Sequence, residues 1–463
     1  MGACKACRSW RRGSHRSLRL PVTLLVLAGA LVALSLSAAG GDPWSATPVA
    51  VRAQPAVPPF DAAEMNEARE ERPPVSHRPA VLAAFAAESY RPNSVAKLAF
   101  FDTARGVSLR FYVVGAGTGR WGDGILMASD VMRGTPVGLN QPIGNVRPGA
   151  SIRVRIGGWP SGLYFAELTA PGGRVGYAPF VLAPSRLGGH RIAVVMPTQT
   201  WQAYNYRDDN RDGIGDTWYA GHGQSTARLY RPFENRGVPT HYKYYDEPFL
   251  RWLVHKHISV DVISDAELKE TSGATLARAY QVIVFPGHHE YVTQHEFDAV
   301  TRYRDLGGNL IFLSANNFYS KITIRDGVMT RVGWYRYLHQ PESELVGVQF
   351  YDNDLGEHRG HWTVRPTDAG RWIFKGTRLV PGDRLASGGI EADEVTTASP
   401  PHTRVLAEIV NLFGDARNAQ MTYYETAQGA KVFAAGAFTL ACSSWEPHVS
   451  RLIENLLRQM IDE

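Results

Sequence analysis

From Val95 onward, short runs of alternating hydrophobic and polar residues are separated by glycine-containing turns. VAKLAFFD, SLRFYVV, SIRVRI, GLYFAEL and VGYAPFVLA are each strand-length. Their succession at roughly even spacing predicts an all-β sandwich of the immunoglobulin-like kind over residues 94–185. From His190 the pattern changes. RIAVVMPT, SVDVIS, YQVIVFPG, NLIFLSA and KVFAAGAF are apolar strand runs. Between and after them lie segments with helical spacing: YYDEPFLRWLVHK, TQHEFDAVTRYRDLGG and EPHVSRLIENLLRQMI. The last puts Val449, Leu452, Ile453, Leu456, Leu457 and Met460 on one face. Alternating apolar strands and helices predict a doubly wound α/β domain, flavodoxin-like or glutamine-amidotransferase-like, over residues 188–463. In such sheets ligands bind beyond the carboxyl ends of the strands.

That rule focuses attention on FPGHHEYVTQHEF, residues 285–297, which packs His288, His289, Glu290, His295 and Glu296 into nine positions. The H-E-x-x-H zinc pattern is absent. Thr293 followed by Glu296 is a capping box, so a helix begins near Gln294 and accounts for His295 and Glu296. His288 and Glu290 fall in the strand-to-helix loop, where a ligand crevice belongs, although a glutamate there is equally consistent with plain solvation. Two other carboxyl-end loops bring Trp201, Tyr204 and Asn205, and Asn316 and Asn317, to the same rim. Oxygen donors with one imidazole favour a hard metal.

Composition narrows the setting. Hydrophobic residues at 44% and charged residues at 20% are ordinary for a globular protein. The net charge of +5 is concentrated in MGACKACRSWRRGSHRSLR, which holds six Lys or Arg and no acid, leaving −1 for the rest; nucleic acid is therefore not an expected partner. This basic leader runs into LPVTLLVLAGALVALSLSAAG. Residues 1–39 accordingly read as a signal peptide or, if uncleaved, a membrane anchor, and the protein as periplasmic, cell-surface or secreted. Residues 40–93 read as a Pro/Ala-rich linker with at most one short helix between Pro79 and Ser89. Beyond the leader only Cys442 remains, within an apolar run that suits core packing, so stability comes from burial and not from disulfides.

The runs VVMPTQTWQAYN, VIVFPGHHEYVTQHEFDAVTRYRDLGGNLIFLSANNFY and WPSGLYFAEL resemble the large (β) subunit of N,N-dimethylformamidase and its wider domain family. The resemblance extends from about Val95 to the C-terminus. It implies a mononuclear iron (Fe3+) held by two tyrosines and one glutamate, in a protein that hydrolyses a small amide. Carried onto this sequence, the metal ligands would be Tyr164, Tyr204 and Glu290, with His288, Asn316 and, more loosely, Glu391 as catalytic residues. Two phenolates and a carboxylate are hard anionic ligands that suit Fe(III). A small partner subunit is implied as well; a homo-oligomer is equally open to a single chain. Asp208, Asn210, Asp212, Gly213 and Asp216 match the start of a calcium loop without its distal glutamate, and are otherwise an acidic turn. Two functions follow: an exported metal-dependent amidohydrolase, or a non-catalytic exported module that binds a ligand or envelope polymer in the same crevice.

Overall fold

The computed structural model describes residues 42–45, 75–115, 130–221 and 223–461. The expected signal peptide or anchor and most of the expected linker lie outside them. In the part of the linker that is described, where at most one short helix is expected, no helix forms. Pro79 to Ser89 instead supplies the strand Ala83–Phe85 and leads into Ser89–Tyr90.

Those two short strands enter two sheets that face one another. One is three-stranded, with Ala83–Phe85 and Ser151–Arg155 pairing antiparallel to either side of Val95–Phe100. The other is five-stranded, in the order Ser89–Tyr90, Arg174–Leu182, Gly162–Ala170, Ala104–Val113, Thr135–Val146. Leu98, Phe100, Leu109, Phe111, Tyr164 and Phe180 fill the space between them. Because side chains alternate across a strand, Leu163, Phe165, Tyr177 and Val181 point the other way and join a core shared with the C-terminal part. The central strands of the five-stranded sheet are therefore buried on both faces.

A doubly wound α/β domain behind an immunoglobulin-like sandwich is not what the chain builds; the fold is β-rich, with several mixed sheets. Five strands do pair in parallel, in the order Asp261–Ser264, Ile192–Met196, Val282–Phe285, Asn309–Phe312, Lys431–Ala434. The sheet then turns antiparallel at Ala419–Glu425 and continues through Arg404–Ile409, Arg359–Val364, Arg384–Glu394 and Gln349–Asn353, giving eleven strands with Ala437–Phe438 at its flank. A separate four-stranded sheet joins Thr226–Arg228, Val328–Trp334, Ser320–Arg325 and Tyr291–Thr293. The stretch Ser320–Glu425, which lies between the apolar runs NLIFLSA and KVFAAGAF, thus supplies seven strands.

The local elements around the site follow from their residues. In the parallel strands Val194, Val284 and Ile311 face one core while Val195, Ile283 and Leu310 face another, the two-residue period of fully buried strands. Thr293 and Glu296 form a reciprocal capping box at the start of Gln294–Asp305, and Gly307, with φ +93°, ends that helix in the left-handed region. The helix Pro447–Ile461 buries its Val449, Leu452, Ile453, Leu456, Leu457 and Met460 face. Among the described residues no helix is long and apolar enough to cross a membrane.

Candidate functional site

The loops after three parallel strands meet at one buried point. After Ile192–Met196, the short helix Thr198–Ala203 ends on Tyr204. After Val282–Phe285, residues 286–290 carry His288 and Glu290, held by backbone bonds from Phe318 N–H to the His289 carbonyl (2.7 Å) and Ser320 N–H to the Glu290 carbonyl (2.9 Å). Phe318 lies in the loop after Asn309–Phe312, which also contains Asn316, and Ser320 opens the strand that follows.

At the centre lies Glu290 Oε2. It accepts the Tyr204 hydroxyl at 2.6 Å and the Tyr219 hydroxyl at 3.0 Å, and Tyr219 is itself in short hydrogen-bond contact with the Tyr291 hydroxyl. The Tyr204 and Tyr219 rings stack at 4.3 Å. His288 Nε2 lies 3.5 Å from Glu290 Oε2 and 3.4 Å from Glu391 Oε2, yet makes no aligned hydrogen bond. Burial pushes the Glu290 carboxyl well above the usual carboxylate range, against the lowering effect of the Tyr204, Tyr219 and Tyr291 hydroxyls and of Arg331. Burial, with His241 and His289 nearby, holds the His288 imidazole far below its ordinary value, so it is neutral.

The sequence-derived candidates separate. Tyr204, Glu290, His288 and Glu391 come together. Asn316 borders them: its backbone N–H donates to both oxygens of Asp393 (3.0 and 3.2 Å), two residues from Glu391, and its buried Oδ1 has no hydrogen-bond partner. Tyr164, expected as a metal ligand, is not there. Its hydroxyl donates to the Pro160 carbonyl at 2.8 Å, and its ring stacks on Trp159 and Phe180 inside the sandwich. The two-residue strand period is the cause, since residue 164 shares a face with Ala166 and Leu168, away from the C-terminal part.

Tyr219 stands in its place. It sits on the single turn Trp218–Ala220, capped by Thr217, whose hydroxyl also donates to the Ala203 carbonyl and so ties the turn beside Tyr204. The one sequence signal for it is the Thr217 cap after the acidic loop. His289 packs edge-on against Phe285, and Glu296 is occupied by its cap and by Gln199. In the acidic loop, Asp208 accepts Arg211 and Gly213 N–H, Asn210 accepts Asp212 N–H, Asp212 accepts Ile214 N–H, and Asp216 accepts Asp209 N–H. These are the bonds of a self-contained turn.

Among the described residues no three His, Cys, Asp or Glu side chains are grouped to hold a metal ion, so a metal here depends on the phenols. The donor set fits one. Two phenol oxygens converge on one buried carboxylate oxygen, beside an imidazole nitrogen that makes no aligned hydrogen bond, and three hard oxygens suit a small, highly charged cation.

The family model described as N,N-dimethylformamidase beta subunit-like, C-terminal, matches residues 150–444. The chain belongs to this family. Every residue of the Glu290 centre lies within the matched stretch. The N,N-dimethylformamidase beta subunit of Paracoccus aminophilus is 23% identical, over 66% of this chain and 53% of that protein. The chain thus spans about half the length of this curated relative. Among solved structures, a superoxide reductase (neelaredoxin) from Ignicoccus hospitalis overlaps 22% of this chain and 80% of its own, at 9% identity and TM-score 0.15. A Paenibacillus sp. cycloisomaltooligosaccharide glucanotransferase, complexed with cycloisomaltoheptaose, overlaps 78% of this chain and 68% of its own, at 10% identity and TM-score 0.17. Likenesses this slight carry no argument about fold or chemistry.

Proposed function

We propose that this chain is an exported amidohydrolase that cleaves a small amide at a mononuclear Fe(III) centre held by Tyr204, Tyr219 and Glu290. The observation that carries the reading is the meeting of both phenol hydroxyls on Glu290 Oε2. The name of the Paracoccus aminophilus relative, a dimethylformamidase subunit, supports an amide as substrate. When bound, the metal would supply Lewis-acid polarisation of a carbonyl.

The chain's own residues do the rest. His288, neutral and with Nε2 between two carboxylates, is placed to take a proton from water as it attacks, and Glu391 holds the resulting imidazolium in place. Phe438, edge-on to His288 at 4.8 Å and stacked on Tyr245 at 4.6 Å, keeps bulk water from that side. Export rests on the basic and apolar leader. A small partner subunit is supported by the word "subunit" in the relative's name.

The test is metal analysis of purified protein together with its visible spectrum and amide hydrolysis. Stoichiometric iron, a phenolate-to-iron absorption band and release of amine from a small amide are expected. Colourless, iron-free protein from iron-replete cells would remove the centre, and the binding-module alternative would take its place.

A further inference from the structure

Tyr291, the residue after Glu290, is 1% exposed and holds its hydroxyl against the Tyr219 hydroxyl. Three elements fix it there. Its backbone N–H donates to the Thr200 hydroxyl at 3.2 Å, on the helix that ends at Tyr204. Its strand, Tyr291–Thr293, pairs in parallel with Ser320–Arg325. Its ring packs on Trp218 at 4.8 Å, beside Tyr219 on the same turn. Proton counting gives the direction of the bond between the two hydroxyls. A phenol carries one hydrogen and two lone pairs. The Tyr219 hydrogen is directed to Glu290 Oε2 at 3.0 Å, which leaves the Tyr219 oxygen to accept from Tyr291. A metal bound at that oxygen would displace the Tyr219 proton, and a phenolate can only accept. Tyr291 is therefore the donor in both states. Glu290, the other acceptor its hydroxyl influences, belongs to the same set of ligand oxygens.

We infer that Tyr291 is a positioning residue of this centre: its hydroxyl donates to the Tyr219 oxygen and sets how much charge that oxygen passes to a bound metal. The inference rests on the amidohydrolase reading above and adds to it the group that tunes the metal. Hydrogen bonds to ligating atoms adjust both affinity and reduction potential. Here the donated hydrogen takes up part of the phenolate charge. A metal held by Tyr219 then stays more electron-poor and polarises a carbonyl more strongly. A phenylalanine at the same position would fill the same space without that effect.

The experiment uses the purified full chain loaded with Fe(III): wild type, Tyr291→Phe, and a variant with 3-fluorotyrosine at position 291, a stronger donor of nearly equal size. The readouts are the visible band, the Fe(III)/Fe(II) reduction potential, iron content and amine release from N,N-dimethylformamide. Losing the donor raises the energy of the phenolate electrons, so Tyr291→Phe should move the phenolate-to-iron band to longer wavelength and lower the potential. Its kcat should fall ~10-fold or more with the iron retained. Fluorotyrosine should move the band and the potential the opposite way, which packing alone would not do. An unmoved band and potential in Tyr291→Phe would overturn the inference. So would iron loss as complete as in Tyr219→Phe, since Tyr291 would then be a ligand. Should Tyr291→Phe fail to fold, the direction of the fluorotyrosine shift decides. Colourless, iron-free wild type would remove the amidohydrolase reading and this inference together. The expected shifts in a protein that hydrolyses no amide would sink the hydrolase reading and leave the role of Tyr291 standing.

Discussion

Replacing Tyr219 and Tyr164 by phenylalanine, one at a time, separates the centre the structure forms from the one the sequence suggests. Each change removes a single buried hydroxyl and keeps the ring. In Tyr164→Phe the lost partner is the Pro160 carbonyl at 2.8 Å, a neutral hydrogen bond. Such a bond contributes about 1 kcal/mol, so the midpoint of thermal unfolding should fall by roughly 2–4 °C. Iron content and activity should not change. In Tyr219→Phe the lost bond goes to a carboxylate, Glu290 Oε2 at 3.0 Å, in the class of about 1.5–3 kcal/mol. Since Tyr219 would also be a ligand, iron affinity should fall by more than the roughly 10–100-fold seen when outer partners of metal ligands are removed. The assay is iron titration against a competing chelator, followed by the visible band, with urea unfolding run in parallel. Iron retained in Tyr219→Phe and lost in Tyr164→Phe would refute the geometry described here and restore Tyr164 as the ligand.

Three other outcomes are expected. Burial raises the Asp246 pKa from 3.8 to about 8, so the folded state holds that proton more tightly than the unfolded chain; stability from this group is fully present below pH 3.8 and declines up to about pH 8. Urea unfolding of Asp246→Asn should therefore gain on wild type by up to about 1.4 kcal/mol per pH unit between pH 5 and 7, and a constant difference across that range would contradict it. Gly287→Ala forces a Cβ to within 2.1 Å of Asp246 Oδ1 and should destabilise by about 1–3 kcal/mol in the same assay; a neutral effect would mean that Asp246 moves freely. Thr293→Ala removes one half of a capping box and should lower stability by about 1 kcal/mol while iron binding persists; iron loss would tie the helix start to the centre.

What was legible in the sequence was local. The Thr293 and Glu296 cap, the apolar face of the last helix and the parallel strands around Val194, Val284 and Ile311 each declare themselves within a few residues. So did the loop positions of Tyr204, His288 and Glu290, because a strand end and a helix start bracket them. The antiparallel half of the large sheet did not. Its strands between Gln349 and Glu425 pair with register shifts, as between Phe350 and Asp352 and between Gly360 and Trp362, and such irregularities blur the alternating pattern. Tyr164 shows a different limit: motif order placed it in the centre, but strand parity turns it into the sandwich. Tyr219 reaches Glu290 across 71 positions from a single turn, a contact that no local period announces.

The double-sided burial of the Gly162–Ala170 and Arg174–Leu182 strands bears on how the protein can be cut. A fragment ending near residue 185 would look like a whole unit on paper, yet it would bare Leu163, Phe165, Tyr177 and Val181, which are at most 4% exposed in the intact chain. At roughly 1.5–3 kcal/mol for each large apolar side chain, that loss is of the order of the entire 5–15 kcal/mol that holds a typical domain folded. Such a fragment should be recovered as aggregate, and expression trials are better served by keeping the two halves joined.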